Sequence, residues 1–373
     1  MPIKFKPHYV ITPEIARDLM RIEAVKEHVV HLPLTATVLA SLRETARLYT
    51  THYSTMIEGN RLDPQQIATI LKHQGHFPGR EREEHEIKGY YTALNYGEQL
   101  ATTGTQISEK IIQTLHALVE AGGTLKVKPT PYRDGQNVIR DGRTRRIVYL
   151  PPEAKDVPSL MHTLIQWIES NASIPTPLAA AIVHYQFATI HPYYDDNGRT
   201  ARLLTTLILH MNGYDLKGLY SLEEYYARNL DGYYKAISIG PSHNYYEGRA
   251  EADITSWIEY FIKGMAVSFE KVLSRMHEAH NEGLIDHSIL LRTLDPKQRK
   301  TLELFQKFAT VTARQIGELL QFKSRTSSQL CKNWVNAGFL EVVDFSNKGR
   351  KYRLAKRYEA LIIPGNTPAL LPS

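Results

Sequence analysis

The chain has 373 residues, 42% of them hydrophobic and 23% charged, with a net charge of +6. That length supports a sizeable core and two domains, and the composition is that of a soluble globular protein rather than a disordered or fibrous one. A single cysteine, Cys331, excludes an intrachain disulfide framework, no run of eighteen apolar residues offers a membrane span, and the start Met-Pro-Ile-Lys-Phe-Lys-Pro has no apolar signal core, so a cytoplasmic location without a membrane partner is expected.

The N-terminal part reads as a series of helices. Thr12-Pro13-Glu14 begins the first, with Ile15, Leu19, Ile22 and Val25 on one side. A second runs from about Thr35 with Leu39, Leu42, Ala46 and Tyr49 inward, and ends near Ile57-Glu58-Gly59-Asn60. A carboxylate at a helix C-terminus is disfavoured by the dipole by roughly 0.3–1 kcal/mol, so Glu58 calls for a cationic partner. Asp63-Pro64 caps a third helix, the charged stretch from Arg80 leads into Ile87, Tyr90, Tyr91 and Leu94, and Ser108-Glu109 caps a helix carrying Ile111, Ile112, Leu115 and Leu118. His116 on that helix has no second residue at metal-ligand spacing and reads as a core or edge histidine.

Residues 130 to 152 break the helical pattern. Asn137-Val138-Ile139 and Ile147-Val148-Tyr149-Leu150 read as short strands around an Asp141-Gly142 turn, closed by Pro151-Pro152. Arg140, Arg143, Arg145 and Arg146 suit either an acidic target or a solvated edge.

The densest chemistry lies at 191 to 202, His-Pro-Tyr-Tyr-Asp-Asp-Asn-Gly-Arg-Thr-Ala-Arg. Thr176 as N-cap and Pro177 open a helix that carries Leu178, Ala181, Ile182 and Tyr185 into His191. A second helix leaves with Leu203, Leu204, Leu207, Ile208 and Met211 and stops at Asn212-Gly213. Pro192 breaks the first and Asn197-Gly198 opens the second, so the amides between have no intrahelical partner and form an anion site. Arg199 and Arg202 share one helix face, where guanidinium forks reach successive phosphates. Asp195 is a hard oxygen ligand suited to Mg²⁺. His191, with an ordinary pKa near 6.5, is placed to accept a proton from a hydroxyl.

Downstream, Ser221 to Asn229 and Tyr233-Tyr234 form another helical stretch, and Ile254 through Trp257, Phe261 and Met265 to Met276 a long helix. The tail changes character: residues 296 to 355 hold twelve Lys or Arg against four Asp or Glu, leaving the rest slightly acidic. There, Lys300 to Phe308, Ala313 to Leu320 and Ser327 to Trp334 read as three helices, and Phe339 to Val343 and Tyr352 to Leu354 as two strands around a basic Asn347 to Lys351 turn. Cys331 beside Trp334 reads as a buried structural thiol.

The 191 to 202 segment resembles the signature of Fic proteins: His-Pro-Phe, any residue, Asp or Glu, Gly-Asn-Gly-Arg, two residues, Arg. Tyr193 stands for the usual Phe and Asp196 for the usual Gly, which adds a carboxylate beside the phosphates; members of the Doc branch with a non-Gly residue there remain active. The resemblance covers about residues 35 to 265. It implies a mainly α fold, a Fic-type helical bundle with a β-hairpin flap that covers the nucleotide and takes the target segment as an added strand. It implies transfer of AMP from ATP, with Mg²⁺ at Asp195, to a protein hydroxyl, with His191 as base and Asp196, Asn197, Gly198, Arg199, Thr200 and Arg202 around the nucleotide. Ser54-Thr55-Met56-Ile57-Glu58-Gly59 fits the family's inhibitory pattern, in which the glutamate pairs with the motif's second arginine, here Arg202, and displaces the γ-phosphate. Asn229 and Tyr233 have the spacing of an asparagine and tyrosine that lie beside the adenosine. The tail resembles the winged helix-turn-helix appended to a large subgroup; its third helix, with Ser324, Arg325, Thr326, Ser328, Gln329 and Lys332, suits DNA or protein contacts.

The expected organisation is a helical region with the inhibitory helix at 1–110, a catalytic core at 111–280, a linker at 281–295 and a winged helix at 296–373. The expected function is a self-inhibited protein adenylyltransferase acting on protein targets and on itself, with DNA and a second copy of the chain as further candidate partners. Phosphate transfer, AMP removal, and a DNA-binding regulator with a nucleotide-sensing core stay open as alternatives.

Overall fold

The computed structural model describes residues 5–31, 36–140, 144, 146–240, 243–281, 294–305, 308–344, 346 and 350–359. The protein is mainly helical with two small sheets and divides into two compact units, Met1–Pro33 with Leu42–Glu278, and Leu34–Ser41 with Ala279–Ser373.

The first unit is built from α1 (Pro13–His31), α2 (Ala36–Ile57) from Leu42 on, α3 (Pro64–Leu71), α4 (Glu81–Ala101), α5 (Glu109–Glu120), α6 (Val157–Ser170), α7 (Thr176–Ile190), α8 (Asn197–Met211), α9 (Leu222–Arg228), α10 (Leu230–Ile237) and α11 (Thr255–Asn281) as far as Glu278. Helix α7 is apolar on every side, with Ala180, Ile182, Val183, Phe187 and Ile190 all buried, so it runs through the middle, as a helix without a polar face must. It packs against α6 and α8, and α8 in turn against α4 and α5, where Tyr90, Leu94, Leu118, Val119 and Leu203 share one apolar cluster. Trp257 of α11 donates its indole N–H to the Ala181 carbonyl at 2.8 Å, tying the long helix to the central one. Thr176 lies inside the first turn of α7, with Pro175 ahead of it, rather than acting as the N-cap: the proline pair fixes the entry without a side-chain cap.

The hairpin is shorter than its sequence pattern. β1 (Ile139–Arg140) pairs antiparallel with β2 (Ile147–Tyr149), Ile139 opposite Tyr149. Asn137 is not in the strand because its side-chain amide donates to the Tyr193 and Tyr194 carbonyls at 3.2 and 3.0 Å, which pulls the chain towards the 191 to 202 loop. The Asp141-Gly142 turn, Arg143 and Arg145 lie outside the described residues.

The second unit contains α12 (Pro296–Phe305), β3 (Val311–Thr312), α13 (Ala313–Leu320), α14 (Ser324–Asn336), β4 (Leu340–Asp344), β5 (Lys351–Leu354) and α15 (Lys356–Glu359), with an antiparallel sheet ordered β3-β5-β4. Its core gathers Leu302, Phe305, Val311, Ile316, Trp334 and Cys331, which is free and buried. Helix α12 starts before Lys300 because the Asp295 carboxylate accepts from the Lys297 and Gln298 amides at 2.8 and 2.9 Å. Helix α14 begins at Ser324 rather than Ser327. Residues 282–293, most of the expected linker, and Asn347 to Gly349 of the basic turn lie outside the described residues.

Candidate active site

The site is assembled at the break between α7 and α8. His191 closes α7 in the left-handed region (φ 51°, ψ 61°), its amide donating to the Phe187 carbonyl at 3.0 Å. Such a conformation costs about 1–2 kcal/mol in a residue with a Cβ and persists only where neighbours enforce it. Arg133 is that neighbour. Its buried guanidinium donates to the carbonyls of His191 (2.9 Å), Gly135 (3.0 Å) and Pro152 (2.5 Å), while its amide donates to the Pro192 carbonyl at 2.9 Å.

The loop beyond is folded on itself by Asn197. Its side-chain oxygen accepts from the Tyr193 amide at 2.9 Å, and its nitrogen donates to the carbonyls of Tyr193 (2.9 Å) and Asp195 (3.2 Å). Tyr193 is buried as an aromatic anchor, stacked on His116 with ring centroids 3.7 Å apart, and His116 Nε2 bonds the Asp195 carbonyl at 3.2 Å. His116 is thus a core histidine that also braces the loop. Asp196, at φ 57°, precedes α8 without capping it; its carboxylate turns to Arg199 and pairs with Nη2.

Both arginines are buried, Arg199 at 5% and Arg202 at 1% exposure. Arg202 donates from Nε to Ser54 Oγ at 2.8 Å and from Nη2 to the Ser54 carbonyl and Glu58 Oε1, each at 2.9 Å. Among the described residues, Nη1 of Arg202, Nε and Nη1 of Arg199, the Thr200 hydroxyl and Oδ1 of Asp196 have no hydrogen-bond partner. Buried guanidinium donors are costly to leave unmade, so these donors mark where an anion belongs. Glu58, one residue past α2 and followed by Gly59 at φ 97°, reaches across so that a Cβ on Gly198 would run into its Oε1. Ser54, Glu58, Gly198 and Arg202 therefore meet at the N-terminus of α8.

Asn229 and Tyr233 lie at α10. Asn229 is exposed and caps α10, its side-chain oxygen accepting from the Gly232 amide at 3.0 Å, whereas Tyr233 is buried with its hydroxyl 3.0 Å from His184 Nε2. Arg133 is the positioning residue that sequence reasoning did not single out; its one signal is a lone arginine before Asp134-Gly135.

Burial dominates the electrostatics. It pushes His191 down to about 4, with the Ala188 carbonyl and the charges of Glu58 and Asp195 pulling the other way, and pushes His184 down to about 3. The Asp196 carboxyl is driven up to about 6 by burial against the pull of Arg199. Arg202 is raised by Glu58 despite its burial. No cluster of three or more His, Cys, Asp or Glu that could hold a metal occurs among the described residues. Asp195, exposed and with Oδ1 accepting from the Asp196 amide at 2.9 Å, fits Mg²⁺ held by one carboxylate together with nucleotide phosphates.

Residues 106–209, which hold the His191 to Arg202 stretch, match the family model described as Fic/DOC family. It is 31% identical over 221 residues to a protein of Caenorhabditis elegans named protein adenylyltransferase fic-1, matching 57% of this chain and 42% of that one. It is 27% identical over 201 residues to protein adenylyltransferase Fic of Drosophila persimilis, matching 53% and 38%. The chain thus spans about two fifths of the length of these curated relatives. Among solved structures, a Fic family protein from Desulfovibrio desulfuricans G20 shares the fold with a TM-score of 0.65 at 22% identity, over 94% of this chain and 99% of that one. A segment of Fic-1 from C. elegans does so with a TM-score of 0.58 at 24% identity, over 71% and 73%. No helix among the described residues is long and apolar enough to cross a membrane.

Because the folded pKa values of His191 and His184 lie below that of a free imidazole, the unfolded chain binds more protons than the folded one between about pH 6.5 and 4. Stability is therefore expected to fall as pH drops through that window. The His191 ring resonances are expected to titrate near pH 4 by NMR; a midpoint above 6 would contradict the burial of this imidazole.

Proposed function

We propose that the protein is a self-inhibited protein adenylyltransferase, moving AMP from ATP to a Ser, Thr or Tyr hydroxyl of a protein target or of itself and releasing pyrophosphate. The observation that carries this reading is the set of unpartnered guanidinium atoms of Arg199 and Arg202 at the N-terminus of α8, between His191 and a carboxylate of the chain's own. Relatives named protein adenylyltransferase support it. Residues 1–110 supply the inhibitory region, 111–280 the catalytic core and 296–373 a winged helix-turn-helix domain reached through 281–295, in a cytoplasmic protein.

In this mechanism Asn197 and the amides about Gly198 hold the α-phosphate, and Arg199 and Arg202 take the β- and γ-phosphates. Neutral His191 accepts the proton of the attacking hydroxyl as its oxygen bonds the α-phosphorus and the bond to the β-phosphate oxygen breaks. A bound triphosphate raises the His191 pKa from its resting value by adding negative charge nearby, bringing the base closer to working pH. Mg²⁺ bound at Asp195 with the nucleotide supplies charge neutralisation on the phosphates. The resting pair of Glu58 with Arg202 occupies the γ-phosphate position, so ATP binds productively only when it opens. The presence of Arg202 weighs against the phosphate-transferring branch, which lacks the second arginine.

A DNA-binding regulator is the second reading. Helix α14 exposes Ser324, Arg325, Thr326, Ser328, Gln329 and Lys332 while burying Ser327, Cys331 and Trp334, and the order helix, strand, two helices, two strands suits a winged helix. This reading expects a mobility shift with duplex DNA that weakens with salt and is lost in Arg325→Ala/Lys332→Ala; no shift at low salt would remove it.

The adenylyltransferase reading is tested by incubating wild type, Glu58→Gly and Glu58→Gly/His191→Ala with Mg²⁺ and ATP and measuring intact mass. A gain equal to AMP is expected, roughly tenfold or more larger in Glu58→Gly, in line with a charged hydrogen bond worth about 1.5–3 kcal/mol, and absent from the double variant. Equal labelling with and without His191 would sink the assigned base. A gain equal to phosphate would favour a kinase.

A further inference from the structure

We infer that Asp196 is a specificity-determining residue, an internal stand-in for the β-phosphate that holds Arg199 in the resting protein as Glu58 holds Arg202. This rests on the nucleotide site proposed above and adds a second carboxylate to its control.

Three observations converge on it. Asp196 lies at the entry of α8 but does not cap it: no side-chain hydrogen bond to the first-turn amides is made, although aspartate is among the residues best suited to that task. Its backbone instead adopts φ 57° and ψ 13°, a left-handed conformation disfavoured for any residue with a Cβ, and this turns the carboxylate onto Nη2 of Arg199 one helical turn on. Arg199 is nine-tenths buried, and among the described residues its Nε and Nη1 have no hydrogen-bond partner, nor has Oδ1 of Asp196, so the two side chains meet as an ion pair without a hydrogen bond. A guanidinium that spends one edge on a carboxylate of its own loop and leaves the remaining donors unmade is arranged to exchange that carboxylate for an anion with more oxygens.

The other arginine offers a parallel in charge, although its carboxylate is hydrogen-bonded as well as paired. Arg202 pairs with Glu58, three residues beyond Arg199 on the same helix face, and it too keeps Nη1 unpartnered. The phosphate cradle at rest thus holds two carboxylates of the chain, one on each arginine. They differ in origin: Glu58 comes from α2 and leaves with it, whereas Asp196 is fixed in the loop and remains beside the phosphates after Glu58 has gone. Its charge a few ångströms from a bound β-phosphate is repulsive, and at an effective dielectric of about 20 that repulsion is large enough to change affinity by tenfold or more. Asp196 therefore weighs most heavily against the β-phosphate, the one that shares Arg199 with it, and less against the α-phosphate.

The test is calorimetric titration of AMP and ADP into the full chain carrying Glu58→Gly, alone and with Asp196→Asn or Asp196→Gly. Asn removes the charge and tolerates the left-handed backbone; Gly removes both the charge and the strain, so at least one variant keeps the loop intact. Both are expected to raise the ratio of ADP to AMP affinity by about tenfold. AMP and ADP that bind with an unchanged affinity ratio in the Asp196 variants overturn the inference and leave the nucleotide site standing. No binding of either nucleotide to any variant overturns the nucleotide site, and this inference with it.

Discussion

A guanidinium buried to 1% exposure cannot be left without counter-charge, and the pairing of Arg202 with Ser54 and Glu58 is the constraint on which this site depends. Breaking a buried ion pair by removing one partner costs about 3–5 kcal/mol because the remaining charge stays dehydrated. Arg202 therefore always needs an anion. In the resting protein the chain supplies it from the end of α2, and the same geometry makes a phosphate the natural substitute. On the function proposed above, self-inhibition and nucleotide binding are two occupancies of one electrostatic position.

The rest of the site follows from holding that position open to only one ligand at a time. Helix α7 is buried on all sides, and the loop after it is held as firmly. Arg133 locks the left-handed turn at His191 through three carbonyls, His116 stacks beneath Tyr193, and Asn197 closes the loop on itself. What remains adjustable is Glu58 at the end of α2, while Asp196 stays fixed in the loop. The burial that lowers His191 to about 4 keeps its imidazole neutral at working pH, as the proposed base requires.

Much of this was legible in the sequence because the reacting groups are contiguous. A helix into His191, a break at Pro192 and a helix out of Asn197 can be read from period and punctuation alone, and Glu58 betrays itself as an acid at a helix end followed by Gly59. The resemblance to the Fic signature supplied its partner Arg202, 144 residues away, which local pattern cannot. Arg133 was hidden for the same reason: its bonds to the His191 loop span 58 residues and leave no periodic trace. The direction taken by Asp196 was equally invisible, since spacing admits a cap, a metal ligand or a partner for Arg199, and only the backbone conformation decides. β3 escaped notice because two residues carry no alternation; Val311 and Thr312 are strand only by virtue of Tyr352 and Lys351 opposite them.

The account is tested most directly by the ratio of ATP to ADP affinity, measured calorimetrically in the His191→Ala chain with Glu58 intact and with Glu58→Gln. If Glu58 occupies the γ-phosphate position on Arg202, neutralising it should raise the preference for ATP over ADP by about tenfold or more, the worth of a charged hydrogen bond regained. An unchanged ratio would mean that the Arg202 to Glu58 pair does not compete with the γ-phosphate, and the central claim would fall.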